Sequence, residues 1–140
     1  MQNAPPARPT DRTVLMLTLL LAGLSMLGPF AVDTYMPSFP DIGRTFHATP
    51  LEVQQTLSAY LGTFAVMVLF HGTLSDSFGR RAVILANLAV FVAATIGCAL
   101  AQDFTQLLLL RALQGLSGGS GMVVGRAMIR DIFAGHRWIG

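Results

Sequence analysis

Gly72-Thr-Leu-Ser-Asp76-Ser-Phe-Gly79-Arg80-Arg81 is a short charged turn set between two long apolar runs. Val53–Ser75 before it and Ala82–Gln102 after it contain no Asp, Glu, Lys or Arg. Each run is long enough to cross a bilayer as a helix, so the turn is a loop at a membrane surface. Gly72 and Gly79 allow a tight turn or a close approach of helices, because neither carries a Cβ. Asp76 is expected near a helix end, where a carboxylate accepts hydrogen bonds from amino-terminal N–H groups. Arg80 and Arg81 can pair with acids or with anionic lipid head groups. A solvated basic loop that only fixes topology would use the same residue types.

Composition agrees with a membrane protein. The 140 residues are 53% hydrophobic and 11% charged, unlike an ordinary soluble domain. All 9 basic residues are Arg, and the net charge of +2 is too small and dispersed for a nucleic-acid partner. Cys98, the single cysteine, lies inside an apolar run, so an intramolecular disulfide is excluded and packing is its simplest role. No His/Cys metal cluster, paired carboxylates or Ser/His/Asp set stands at usable spacing, which argues against an enzyme. No phosphate-binding G-x-x-x-x-G-K-[ST] loop is present to drive pumping.

The spacing of charges predicts an all-α membrane protein with four spans, at about 13–32, 53–75, 82–102 and 104–125. Residues 1–12, with three prolines, Arg8 and Arg12, read as a disordered cytoplasmic tail, and 13–140 as the membrane domain. A cleaved leader would have a shorter apolar region than Thr13–Val32 and would not be followed by three more runs. Arg8, Arg12, Arg80, Arg81, Arg126, Arg130 and Arg137 fall on one side and only Arg44 in an outer loop, which places both termini in the cytoplasm.

Within the spans, polar residues mark where helices face protein or water. Span 1 ends at Asp33 and Tyr35, with Pro37 and Pro40 expected to stop the helix. Asp33 is either a cap at the outer edge or a functional acid. Thr49 or Thr45 is available to cap the next helix. Gln54, Gln55, Thr56, Ser58, Tyr60 and Thr63 predict that the outer half of span 2 lines a cavity or another helix. His71, near the loop, reads as an interfacial hydrogen bonder rather than a proton relay. Span 3 has few polar groups and reads as lipid-facing scaffolding. Span 4 carries Arg111 and Gln114, then Gly115, Gly118, Gly121 and Gly125. A charge at the centre of a bilayer costs about 2.5–3.5 kcal/mol on insertion scales, so Arg111 is expected to face a cavity, beside a glycine stripe on which another backbone packs.

Gly72-x-x-x-Asp76-x-x-Gly79-Arg80-Arg81 resembles the loop between the second and third spans of major facilitator superfamily transporters. Arg111-x-x-Gln114-Gly115 resembles the fourth-span motif of that superfamily, and Asp33-Thr-Tyr35-Met-Pro37-Ser-Phe-Pro40 the signature of its Bcr/CflA drug-resistance branch. Gly125-Arg126-Ala-Met-Ile-Arg130-Asp131-Ile-Phe is similar to the inner end of span 4 in that branch. The resemblance implies drug:proton antiport by alternating access in a bacterial inner membrane, driven by the proton gradient with no cofactor. It implies Asp33, Tyr35, Arg111 and Gln114 at the proton-coupled cavity. It also implies Gly72, Asp76, Gly79, Arg80 and Arg81 in a cytoplasmic latch with Arg130 and Asp131. Its partners would be the lipid bilayer, small hydrophobic or amphipathic drugs, protons and the remaining carboxyl-terminal spans. The matched part is the first four of about twelve spans, the beginning of an amino-terminal six-helix half, so a fragment inactive on its own is expected. A compact four-span dimeric exporter would carry a carboxylate in span 1, which Thr13–Val32 lacks. The alternative is a non-transporting, interaction-only bundle that pairs with other helices through Gly121-x-x-x-Gly125.

Overall fold

In the computed structural model, which describes residues 11–134, the chain forms α1 (Asp11–Tyr35), a short 3-10 turn (Met36–Ser38), α2 (Phe39–Thr45), α3 (Pro50–Phe78), α4 (Arg80–Ala99), α5 (Phe104–Gly118) and α6 (Ser120–Ala134). No strand occurs among the described residues. Four stretches are long and apolar enough to cross a membrane: Arg12–Thr45, Pro50–Phe78, Arg80–Ala99 and Phe104–Ala127. The fold is therefore an all-α membrane fold with the expected four spans. Of the expected tail, residues 1–10 lie outside the described part, whereas Asp11 and Arg12 already belong to α1.

Local chemistry explains the helix ends. Thr49 caps α3 in a reciprocal box: its hydroxyl accepts from the Glu52 N–H at 3.3 Å while its own N–H donates to Glu52 Oε2 at 2.7 Å. Asp103 opens α5 by accepting from the Gln106 N–H at 3.1 Å. Between α3 and α4 the chain turns on Gly79 alone, at φ +86°, a conformation that side chains with a Cβ rarely adopt. Pro37 and Pro40 do not stop the helical path as expected. Each occupies the first turn of its own short helix, where a missing N–H costs nothing, so the chain continues helically to Thr45.

Span 4, made of α5 and α6, is the centre of the bundle. α5 packs against α3 and α4, and α6 packs mainly against α1. Glycine permits this closeness. A Cβ on Gly115 would collide with the Tyr60 carbonyl and the Thr63 hydroxyl, and one on Gly121 with the Leu24 backbone. Gly125 faces Ser25 and Leu21 of α1, and Gly118 faces Tyr60 and Phe91. The glycines are thus shared among α1, α3 and α4 rather than forming one stripe against one helix. Gly121 and Gly125 are already covered by α1, which corrects the idea that they pair this chain with other helices. Large apolar side chains such as Leu19, Leu20, Leu69 and Leu109 point outward, as lipid-facing positions should.

Candidate functional site

The chemistry gathers in a cavity of about 430 Å³ between α1, α4 and α5. Leu27, Phe30, Ala31 and Phe91 give it apolar walls, and Arg111 and Gln114 stand at its polar side. Arg111 is only 3% exposed. The i to i+3 spacing on α5 lets its Nη1 donate to Gln114 Oε1 at 2.6 Å. Gln114 Nε2 donates in turn to Thr95 Oγ1 at 2.8 Å, and Thr95 donates to the Phe91 carbonyl at 2.7 Å. This chain ties α5 to α4 and fixes which end of the Gln114 amide faces the guanidinium.

No carboxylate pairs with Arg111 among the described residues. Aromatic faces take that place. The guanidinium carbon lies 3.3 Å from the centroid of the Tyr35 ring and 5.2 Å from that of Tyr60. Such contacts are worth about 2 kcal/mol or more when desolvated. Both rings are held by their hydroxyls. Tyr35 Oη lies 2.6 Å from Thr56 Oγ1, which itself donates to the Val53 carbonyl at 2.6 Å, so Tyr35 is the donor of that pair. Tyr60 donates to the Gly28 carbonyl at 3.1 Å. Arg111 Nε and Nη2 are buried without an acceptor.

The expected site residues therefore divide. Tyr35, Arg111 and Gln114 come together in the cavity, while Asp33 is exposed in a neighbouring cleft with Met26 and Pro29, sharing only the Leu27 and Phe30 wall. Asp76 lies in the last turn of α3, and α4 begins without a side-chain cap, which corrects its expected role as an acceptor for amino-terminal N–H groups. Gly72 is inside α3 with nothing within 4 Å of where its Cβ would be, so neither a turn nor a close packing explains it. Arg80 and Arg81 open α4, and Arg130 is exposed on α6. The expected meeting of these bases with Asp131 falls on a side chain outside the described residues.

Span 2 is polar for two different reasons. Thr56 and Tyr60 are buried and Thr63 reaches the Ala112 carbonyl at 2.9 Å, whereas Gln54, Gln55 and Ser58 are exposed. His71 does act as a hydrogen bonder, its Nδ1–H donating to the Met67 carbonyl at 2.7 Å, and it is fully buried in the bundle two helical turns before the end of α3. Thr95 was not singled out by the sequence, because span 3 has few polar groups and reads as lipid-facing scaffolding. Its signal is that it is the sole hydroxyl in Ala82–Gln102. Cys98, read as packing, also lines the cavity.

Comparison with known proteins shows the same grouping over most of the chain. Residues 15–139 match the description of the Major Facilitator Superfamily. The chain is 39% identical over 128 residues to an uncharacterized MFS-type transporter of Bacillus subtilis, covering 91% of this chain and 32% of that protein. It is 37% identical over 120 residues to multidrug resistance protein D of Escherichia coli, covering 86% of this chain and 29% of that protein. It is 37% identical over 129 residues to a bicyclomycin resistance protein homolog of Haemophilus influenzae, covering 89% and 31%. The chain thus spans about a third of the length of these relatives. No solved structure matches it.

Proposed function

Because this chain belongs to the Major Facilitator Superfamily, we propose that it supplies part of a proton-coupled drug exporter that works by alternating access. The observation that carries this reading is a guanidinium buried in the membrane-spanning region at the edge of an otherwise apolar cavity, held by rings and an amide instead of an acid. Ionisable groups at such depth are costly and mark substrate or proton pathways. Two of the relatives are named for drug resistance, which supports a drug as cargo.

In this reading Arg111, Gln114 and Tyr35 form the fixed wall of the site, and Asp33 in the adjoining cleft takes and releases the proton. Asp76, Arg80, Arg81, Arg130 and Asp131 act at the inner surface as the latch between conformations. Both ends of the chain face the cytoplasm of a bacterial inner membrane, by the distribution of Arg. The driving force is the proton gradient, and no cofactor or covalent chemistry takes part. Alternating access needs two repeats rocking about a shared midplane site, so the remaining spans come from a longer parent and this chain alone confers no resistance.

The test replaces the matching third of multidrug resistance protein D with these residues and measures drug resistance in an exporter-deficient host. Export that is abolished by collapsing the proton gradient, and lost in Asp33→Asn and Arg111→Ala at equal membrane level, is expected. A chimera that inserts at the level of its parent yet exports nothing would return the chain to a non-transporting bundle.

A further inference from the structure

We propose that Thr56 is a positioning residue for the Arg111 centre: it acts through Tyr35, holding the ring over the guanidinium so that Arg111 stays sealed from the cavity it borders. The inference rests on the export reading for its biological meaning, because the wall a drug meets is then ring and amide with the charge behind them. The seal itself is a property of this chain.

Arg111 stands in the cavity wall yet is buried, and its Nε and Nη2 reach neither the open space nor an acceptor among the described residues. Nη1 is spent on Gln114. One face of the guanidinium is covered by Tyr35, whose ring centroid lies 3.3 Å from Cζ, against 5.2 Å for Tyr60. A ring so placed stabilises a cation away from water, and both the stabilisation and the cover are lost if the ring slides off. The seal is therefore as good as the placement of Tyr35.

The backbone alone does not secure that placement. Tyr35 is the last residue of α1, and the chain leaves the α-helical ladder at the 3-10 turn that follows. Phe39 meets the ring edge-on, with 5.4 Å between centroids, and steadies one side of it. The far end is tied by its hydroxyl, 2.6 Å from Thr56 Oγ1. Thr56 is fully buried, and its single proton goes to the Val53 carbonyl at 2.6 Å, which leaves its oxygen to accept from Tyr35. A threonine hydroxyl inside a helix is commonly satisfied by its own backbone in this way. What Thr56 adds is a second bond that reaches α1. Tyr60 is tied instead to a backbone carbonyl, that of Gly28, so of the two rings Tyr35 is the one whose position depends on a side chain from another helix.

The experiment reads the seal directly. The 140-residue chain in zwitterionic nanodiscs is treated with phenylglyoxal, which modifies guanidinium groups, and each Arg is followed by peptide mass spectrometry. Arg44, whose side chain is 77% exposed at the outer end, is the internal reference. In the wild type Arg111 is expected to react far more slowly than Arg44. Thr56→Val keeps the branched shape and should speed modification of Arg111 relative to Arg44 about threefold, the ratio that one average hydrogen bond in a membrane bundle supplies. Tyr35→Phe removes the same bond from its other end and should match it, and the double variant should exceed neither single one, because all three lose one interaction. Thr56→Ser should return the wild-type rate. Thr63→Val also removes a hydroxyl from α3, but one within reach of Ala59, Tyr60 and Ala112 and not of Tyr35, so it should leave Arg111 sealed. Wild-type Arg111 as reactive as Arg44 would overturn the proposal, and so would a Thr56→Val rate equal to that of the wild type or of Thr63→Val. Where Thr56→Val fails to insert, Tyr35→Phe carries the same decision. Labelling needs no transport, so a chimera that exports nothing leaves this result standing, and an unsealed Arg111 leaves the export reading standing.

Discussion

Span 4 and α4 are both membrane-spanning helices, yet their relation to the bundle is opposite. Over an 18-residue stretch of each, Phe104–Ala127 has the lower mean hydropathy, 1.3 against 2.3 for Arg80–Ala99, and a larger buried share, 56% against 11%. The less apolar helix is inside. In water the reverse would hold, because burying apolar surface is the driving force. In lipid the hydrocarbon chains already solvate Leu and Val, so helices associate through close backbone contact and hydrogen bonds instead. Gly115, Gly121, Gln114 and Ser117 therefore gather at the hub, and Leu85, Val92 and Ile96 form the shell.

The two regions should respond to substitution in opposite ways, and size is the harsher test at the hub. Gly115→Leu would drive a side chain into the Tyr60 carbonyl, which the α3 backbone cannot yield without separating from α5. A loss of at least about 3 kcal/mol is expected, at the upper end for overpacking. Gly121→Val should be nearly as severe, since it meets the α1 backbone at Leu24. Gly72→Ala, with open space around it, should be neutral or stabilising by up to about 1 kcal/mol through helix propensity. Resistance to unfolding in mixed micelles measures all three, and a Gly72→Ala as damaging as Gly115→Leu would erase the distinction.

Charge is the harsher test at the shell. Val92 is 49% exposed in the middle of α4. Val92→Arg should therefore lose about 2.5–3.5 kcal/mol of insertion free energy, while Val92→Ala should leave insertion and packing nearly unchanged. A glycosylation-site insertion assay reads this difference. Equal insertion of the two variants would mean that α4 does not face lipid.

At the hub the existing charge can be removed. Arg111→Met keeps the length, discards a buried cation that has no carboxylate, and forfeits the ring contacts and one bond to Gln114. Stability unchanged or raised by about 1 kcal/mol is expected, as when buried charges are exchanged for apolar residues of similar volume. A loss of several kcal/mol would show that Arg111 holds the bundle together rather than serving a ligand.

How much of this was legible in the sequence follows the same division. Shell and topology were written in runs without charge, because a bilayer reads length and hydropathy almost directly. Gly79 and Thr49 were legible too, since a positive φ and a capping box are local requirements. Arg111 stood out because charge in a span demands an explanation. Partners across helices were legible only through the family resemblance, which grouped Tyr35 with Arg111 and Gln114. Thr95 reaches Gln114 only after α4 and α5 have packed, and nothing in the spacing of 35, 95 and 114 encodes either meeting. Asp33 sits two residues from Tyr35 yet opens on another cleft, because neighbouring helix residues point about 100° apart per step. His71 was legible as a hydrogen bonder, but its full burial follows from helix packing that the local sequence does not encode.

The smallest effect separates two kinds of hub contact. Thr63 Oγ1 lies 2.8 Å from the Ala59 carbonyl, 3.0 Å from the Tyr60 carbonyl and 2.9 Å from the Ala112 carbonyl across the α3–α5 contact. One hydroxyl has one proton, so the three acceptors compete for it. Ala59 and Tyr60 lie within α3 and Ala112 within α5, so each carbonyl also stands in a helical ladder of i to i−4 bonds. Thr63→Val retains the branched shape beside Gly115 and removes only that divided bond, so a loss of about 0.6 kcal/mol, the average for such bonds in membrane bundles, is expected. Thr63→Leu should cost far more by pushing on Gly115. A Thr63→Val penalty equal to that of Gly115→Leu in the same micelle assay would mean that hydrogen bonding, and not backbone proximity, draws span 4 into the centre.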